Sequence, residues 1–154
     1  MRGDVVVMSL ANGNSGREKS YLLYGTGIEA EKFLFQHMDY IEKIEYCIDA
    51  LHTGEFHYLP IIKVEEANFA KRKVIVAAGT EKTYFDMKGL LEKRGLKEFK
   101  DFVWSRIVDK KIVLVNANCH GSALIRYLEQ SDRFSAEYAV YPLPAVHLNS
   151  QKEI

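Results

Sequence analysis

Three stretches of the chain hold residues whose types and spacing could do chemistry. Gly25-Thr26-Gly27-Ile28-Glu29-Ala30 fits G-x-G-x-x-A, follows a short apolar run and opens a helical pattern. Glycines there let the backbone approach a phosphate, and a helix N-terminus offers free N–H groups and a positive dipole end. Asp49, closing the next apolar run, stands where an acid accepts a ribose hydroxyl. The same residues also suit a tight strand-to-helix turn that binds nothing. The second stretch is Asn116-Ala117-Asn118-Cys119-His120-Gly121-Ser122. A thiol just before a helix N-terminus has its thiolate stabilised, so Cys119 reads as a nucleophile. Neighbouring side chains point apart, which makes His120 a poor base for Cys119. His147, beyond the next strand, is the better candidate. Asn116 and Asn118, with the amides of Gly121 and Ser122, suit an oxyanion or a phosphate. The plainer alternative is a buried, inert Cys119 with asparagines capping a helix. In the third stretch, YPLPAVH, two prolines mark a strand exit. His37, His52 and His57 show no metal-ligand spacing with carboxylates, and the last two read as solvated or capping groups in a polar loop.

The elements that must position these residues follow from hydrophobic period. Tyr21–Tyr24 reads as a strand, and Ile28, Phe33, Leu34 and Met38 then recur at helical spacing. IEKIEYCID is a second strand, LPII a short one, and KRKVIVAAG the clearest of all, a continuous β-branched run fit for burial on both faces. The next segment is a helix with Tyr84, Met87, Leu90 and Leu91 on one stripe, ended near Gly95. Alternating strands and helices predict an α/β fold, a Rossmann-like parallel sheet with helices on both faces. After Asp109 the pattern restarts as strand, turn, helix and strand. The expected organisation is a leader or linker over 1–19, a Rossmann-like domain over 20–104, and a segment 105–154. That last segment either extends the same sheet or opens a second, truncated domain, with Trp104 covering the seam between the halves.

A chain of 154 residues, nearly half apolar, can bury a core. Acidic and basic residues balance at 21 each, which speaks against a nucleic-acid partner. No apolar run approaches the roughly 20 residues of a membrane span, and no signal peptide is evident, so a cytoplasmic location is expected by default. Cys47 and Cys119 are too few for a disulfide framework and form no CxxC pair, so reduced thiols and no metal are expected. A homo-oligomer is compatible with all of this.

From Lys110 to His147 the chain resembles the opening of the WcbI family of polysaccharide biosynthesis enzymes, through Asn118-Cys119-His120 and the helix opened by Gly121 to Leu124. That resemblance implies capsular polysaccharide modification, coenzyme A binding and an acetyltransferase role with the cysteine loop at the active site. A complete domain of that type is far longer than this segment. The first hundred residues resemble the Rossmann-like N-terminal domain of sugar acyltransferases, through YGTG, a strand ending in Asp49, PII and VIVAAG. This implies a nucleotide-sugar ligand contacting Gly25, Thr26, Gly27 and Asp49. Together the resemblances imply a component of bacterial surface-polysaccharide assembly. Two other readings stand beside it: a non-catalytic α/β binding or regulatory module, and a small NAD-linked oxidoreductase resting on G-x-G-x-x-A alone.

Overall fold

Apolar runs without polar alternation need cover on both faces, and here they become the middle strands of a mainly parallel sheet. The computed structural model describes residues 4–9, 20–117 and 120–143. The strands in chain order are β1 (Asp4–Ser9), β2 (Tyr21–Tyr24), β3 (Ile44–Ile48), β4 (Gly54–Phe56), β5 (Leu59–Ile62), β6 (Lys73–Val76), β7 (Phe102–Trp104), β8 (Lys111–Asn116) and β9 (Tyr138–Tyr141). The helices are α1 (Ile28–Gln36), α2 (Met38–Ile41), α3 (Glu81–Lys93), α4 (Gly121–Glu129) and α5 (Asp132–Glu137). A six-stranded sheet has the order β4-β5-β3-β2-β6-β7, and a separate three-stranded sheet the order β1-β8-β9. They correspond to two compact units, residues 14–108 and residues 1–13 with 109–154.

In the six-stranded unit, β2, β3, β5, β6 and β7 are parallel, and β4 returns antiparallel along β5. The chain starts at the centre in β2, steps outward through β3 and β5, then crosses to the other side of β2 for β6 and β7. Strand order therefore reverses between β2 and β6. Right-handed crossovers running in opposite directions from that line place α1 and α3 on opposite faces. Leu22, Leu23, Ile44, Ile48, Val74, Ile75 and Val76 are fully buried, each such side chain contributing on the order of 1.5–3 kcal/mol.

Two strands lie outside the sequence reading. β4 forms a hairpin with β5 across His57 and Tyr58, both at positive φ (48° and 65°) without the glycine or asparagine that signals such a turn. β7 has only three residues, each buried, too short for a periodicity to register. The first helix is also shorter than its apolar pattern. At His37 the backbone leaves helical geometry (φ −130°, ψ 59°), the His37 amide closes the last turn on Phe33 O at 2.9 Å, and the imidazole stacks on the Phe33 ring at 4.6 Å. Met38 consequently starts α2 and is exposed, as is Ile28, while Ala30, Phe33, Leu34 and Tyr40 face inward. In α3, Thr80 caps the N-terminus with its hydroxyl accepting from Thr83 N, and Gly95 (φ 81°) ends it as a left-handed residue. Tyr84 and Leu91 are buried there, whereas Leu90 is exposed.

Trp104 is buried and held by partners within the six-stranded unit. Its ring stacks on Tyr84 of α3 (4.5 Å, 9° between planes) and its Nε1 donates to Ala78 O at 2.8 Å, all inside the six-stranded unit. In the smaller unit, β8 pairs in parallel with β9, and antiparallel with β1 from Asp4↔Asn116 to Ser9↔Lys111. Within the expected leader, the β-like patch VVVMSL that the sequence shows there lies, over Val5 to Ser9, in β1, and the C-terminal strands pair with it in a sheet of their own. β9 stops at Tyr141, immediately before Pro142, where the ring of proline disfavours further regular pairing.

Candidate functional site

The turn after β2 is shaped by its neighbour. Gly25 has φ 102°, and a Cβ built on it would lie 2.8 Å from Ala77 O, so only glycine fits beside the β6 backbone. Gly25 N donates to Ile48 O and Ala77 N to Tyr24 O, both at 2.8 Å, so the ladder continues past the strand ends. Gly27 differs. It is the N-cap of α1 with φ −92° and no side-chain cap, and a Cβ on it would meet nothing within 4 Å. The chain's own packing does not require glycine there, and the space a side chain would take at the N-cap of α1 is open. The acidic residues of that first turn are paired, Glu29 with Lys32 at 3.0 Å and Glu31 with His57 at 2.7 Å.

Asp49 is drawn into the turn. Oδ2 accepts from Thr26 N at 3.0 Å and from the Thr26 hydroxyl at 2.6 Å, while Oδ1 accepts from the amides of Leu51 at 2.8 Å and His52 at 2.9 Å. The residue is 8% exposed. Burial alone would raise its pKa, but the bonds from the Thr26 side chain, the His52 and Leu51 amides and the His52 ring hold the carboxyl well below the usual range. A ribose diol would have to displace these donors to engage Asp49, because both oxygens already serve the two loops. The His52 ring completes the group, with Nδ1 at 3.0 Å from Thr26 Oγ1 and 3.2 Å from Asp49 Oδ2. Sequence reading set His52 aside as a loop residue. The available signal was its place three residues after Asp49, on the loop that leaves the C-terminal end of β3.

The opposite rim is the loop after β6. Trp104 holds Ala78 O, and Arg106 Nη2 donates to Gly79 O at 2.5 Å while its guanidinium lies 4.9 Å over the Trp104 ring. A Cβ on Gly79 would lie 3.1 Å from Glu29 Cγ, so α1 and this loop approach closely. Beside them a cleft of about 120 Å³ is lined by Glu29, Lys32, Phe33, Gln36, Ser105 and Arg106. Gly25, Thr26, Gly27 and Asp49 are therefore brought together, at the C-terminal edge of the sheet where strand order reverses.

The second motif belongs to the smaller unit. Asn116 ends β8, exposed. The N-cap of α4 is His120, not an asparagine, and its side chain makes no capping bond. Its carbonyl accepts from Ala123 N at 3.2 Å and Leu124 N at 3.3 Å. Gly121 is buried, and a Cβ there would come 2.9 Å from Ala117 Cβ, so this glycine is set by close packing of the helix start. Ser122 is exposed on the first turn. Asn118, Cys119 and His147 lie outside the described residues.

Cys47, in β3, is a buried free thiol whose pKa is pushed up to about 12 by burial and then by the charge of Asp49. Among the described residues no three His, Cys, Asp or Glu side chains cluster to hold a metal ion, and no helix is long and apolar enough to cross a membrane. Comparison with protein-family models, curated proteins and solved structures finds no match.

Proposed function

We propose that the six-stranded unit binds a nucleotide-type small molecule, a nucleotide sugar in the first instance, across the turn after β2 and the loop after β6. The observation that carries this reading is the reversal of strand order between β2 and β6, which coincides with the Gly25-Thr26-Gly27 turn and an open helix start at Gly27. Open α/β sheets take ligands at such a point because two loops diverge there, leaving a crevice with helix amides directed into it. Ile28 (74% exposed), at the start of α1, and Leu51 (86% exposed), on the loop after β3 that bonds to the Thr26 turn through Asp49, offer apolar surface to a base. A role in surface-polysaccharide assembly, with coenzyme A at the Asn118-Cys119-His120 turn, is proposed on the resemblance of that motif alone.

Calorimetric titration with UDP-sugars and with coenzyme A tests the reading, alongside Gly27→Asp. Aspartate at this open N-cap adds a helix cap and a charge favourable to the dipole, a gain of about 0.5–1 kcal/mol in stability. The same carboxylate stands where a phosphate would lie, so nucleotide affinity is expected to fall tenfold or more in a protein no less stable. Absence of any heat or thermal shift with either ligand class at millimolar concentration removes the proposal. One observation favours the rival, a non-catalytic module with a structural turn: the Asp49 carboxylate is fully engaged within the chain. An unliganded titration in both arms would favour that reading.

A further inference from the structure

The Thr26, Asp49 and His52 side chains fix where one proton must be. Asp49 is ionised, so Oδ2 can only accept, and the Thr26 hydroxyl, at 2.6 Å, spends its single proton on it. His52 Nδ1 then faces a carboxylate oxygen at 3.2 Å and a hydroxyl oxygen at 3.0 Å, neither with a proton to give. Nδ1 must therefore carry the hydrogen. In the neutral ring this leaves the lone pair on Nε2, on the far side of an imidazole whose side chain is 61% exposed. The C-terminal end of β3 thus presents an outward acceptor in place of the carboxylate that faces inward.

We infer that His52 Nε2 reads the ribose of the bound nucleotide, accepting a hydrogen bond from its diol while Asp49 acts as the positioning residue behind it; this rests on the nucleotide reading of the same crevice. The arrangement also sets the ligand class. In that tautomer, an outward ring acceptor backed by a buried carboxylate suits a hydroxyl donor and disfavours a phosphate at that place, since the phosphate would meet a lone pair and the Asp49 charge. Nucleotide sugars, with a free 2′,3′-diol, satisfy it. Coenzyme A, phosphorylated at the ribose 3′ position, does not.

The test is calorimetric titration of the full chain with UDP-glucose, its 2′-deoxy and 3′-deoxy analogues, and coenzyme A, in the wild type and in His52→Asn and His52→Gln. Asparagine can place a donor where Nδ1 is but has nothing at the Nε2 position, whereas glutamine places an amide group near Nε2. Wild type is expected to prefer the ribonucleotide over at least one deoxy analogue by about 5–10-fold, the worth of one neutral hydrogen bond. His52→Asn is expected to lose that preference with an unchanged urea midpoint, and His52→Gln to recover part of it. Retention of both affinity and ribose preference in His52→Asn overturns the inference while leaving the nucleotide reading in place. Displacement of bound UDP-glucose by coenzyme A at concentrations below those of UDP-glucose, which shows tighter binding in the same crevice, also overturns it. Absence of nucleotide binding in the wild type removes both.

Discussion

Asp49→Asn probes the joint between the two loops with almost no change in shape. The amide keeps one oxygen. Directed at Leu51 N and His52 N, that oxygen retains the bonds of 2.8 and 2.9 Å, and the new NH2 group then faces Thr26 N, donor against donor, where 3.0 Å once separated donor from acceptor. The Thr26 hydroxyl can rotate to accept from the amide, but the Thr26 N–H cannot. The charge-assisted bond from Thr26 N, worth about 1.5–3 kcal/mol, is lost outright, His52 Nδ1 keeps only the Thr26 hydroxyl as an acceptor, and the bonds from Leu51 N and His52 N become neutral, so the expected loss of stability is at least about 2–4 kcal/mol. Urea unfolding followed by fluorescence reads this directly, because the chain has a single tryptophan, Trp104, buried in the same unit. The denaturation midpoint should fall with an unchanged slope. Acid supplies a second readout. The folded-state pKa of Asp49 lies below its unfolded value of about 3.9, so its contribution is present above that pH and is lost as pH falls through the folded value. The gap between wild type and Asp49→Asn should accordingly be constant near neutrality and narrow below about pH 4. A loss under about 1 kcal/mol at pH 7, or a gap that widens in acid, would refute the view that this carboxylate ties the loops together.

The two glycines of the turn should separate cleanly in the same assay. Gly25→Ala forces a side chain into left-handed backbone at φ 102° and against Ala77 O, and is expected to cost about 3 kcal/mol or more, whereas Gly27→Ala should stay within about 1 kcal/mol; equal effects would contradict the assigned geometry. Cys47 should resist iodoacetamide at pH 7, reacting at least about a thousandfold more slowly than a free thiol because its pKa is pushed up to about 12, and should become reactive in denaturant. Peptide mapping that finds Cys47 alkylated quickly in the native protein would overturn that assignment.

Much of the six-stranded unit was legible in the sequence, since YLLY, YCI and VIVAA are uninterrupted apolar runs and polar, charged or glycine residues bracket them. Strand, helix and turn signals agreed with one another there. What escaped has identifiable causes. A three-residue strand such as β7 carries too little pattern, and the His57-Tyr58 turn uses residues that do not advertise positive φ. The apolar period ran on from Leu34 to Met38 although the chain breaks at His37, where a stacked imidazole on Phe33 ends the helix. At the site, spacing located Gly25, Gly27 and Asp49 correctly as one cluster but could not assign the direction of the carboxylate. That direction depends on Thr26, Leu51 and His52, donors supplied by two different loops. The partner of β8 was illegible for a different reason, because a strand that pairs roughly a hundred residues away leaves no local trace.

The pairing of Asp4–Ser9 with Lys111–Asn116 also makes the six-stranded unit an insertion, in sequence, within the smaller one. During synthesis the first strand leaves the ribosome well before its mate exists, for an interval of about 5–20 s at ordinary elongation rates. The inserted unit has all its strands and can fold in that time, while the smaller sheet must wait for a late ring closure. Assembly of this protein is therefore ordered from the middle of the chain outward.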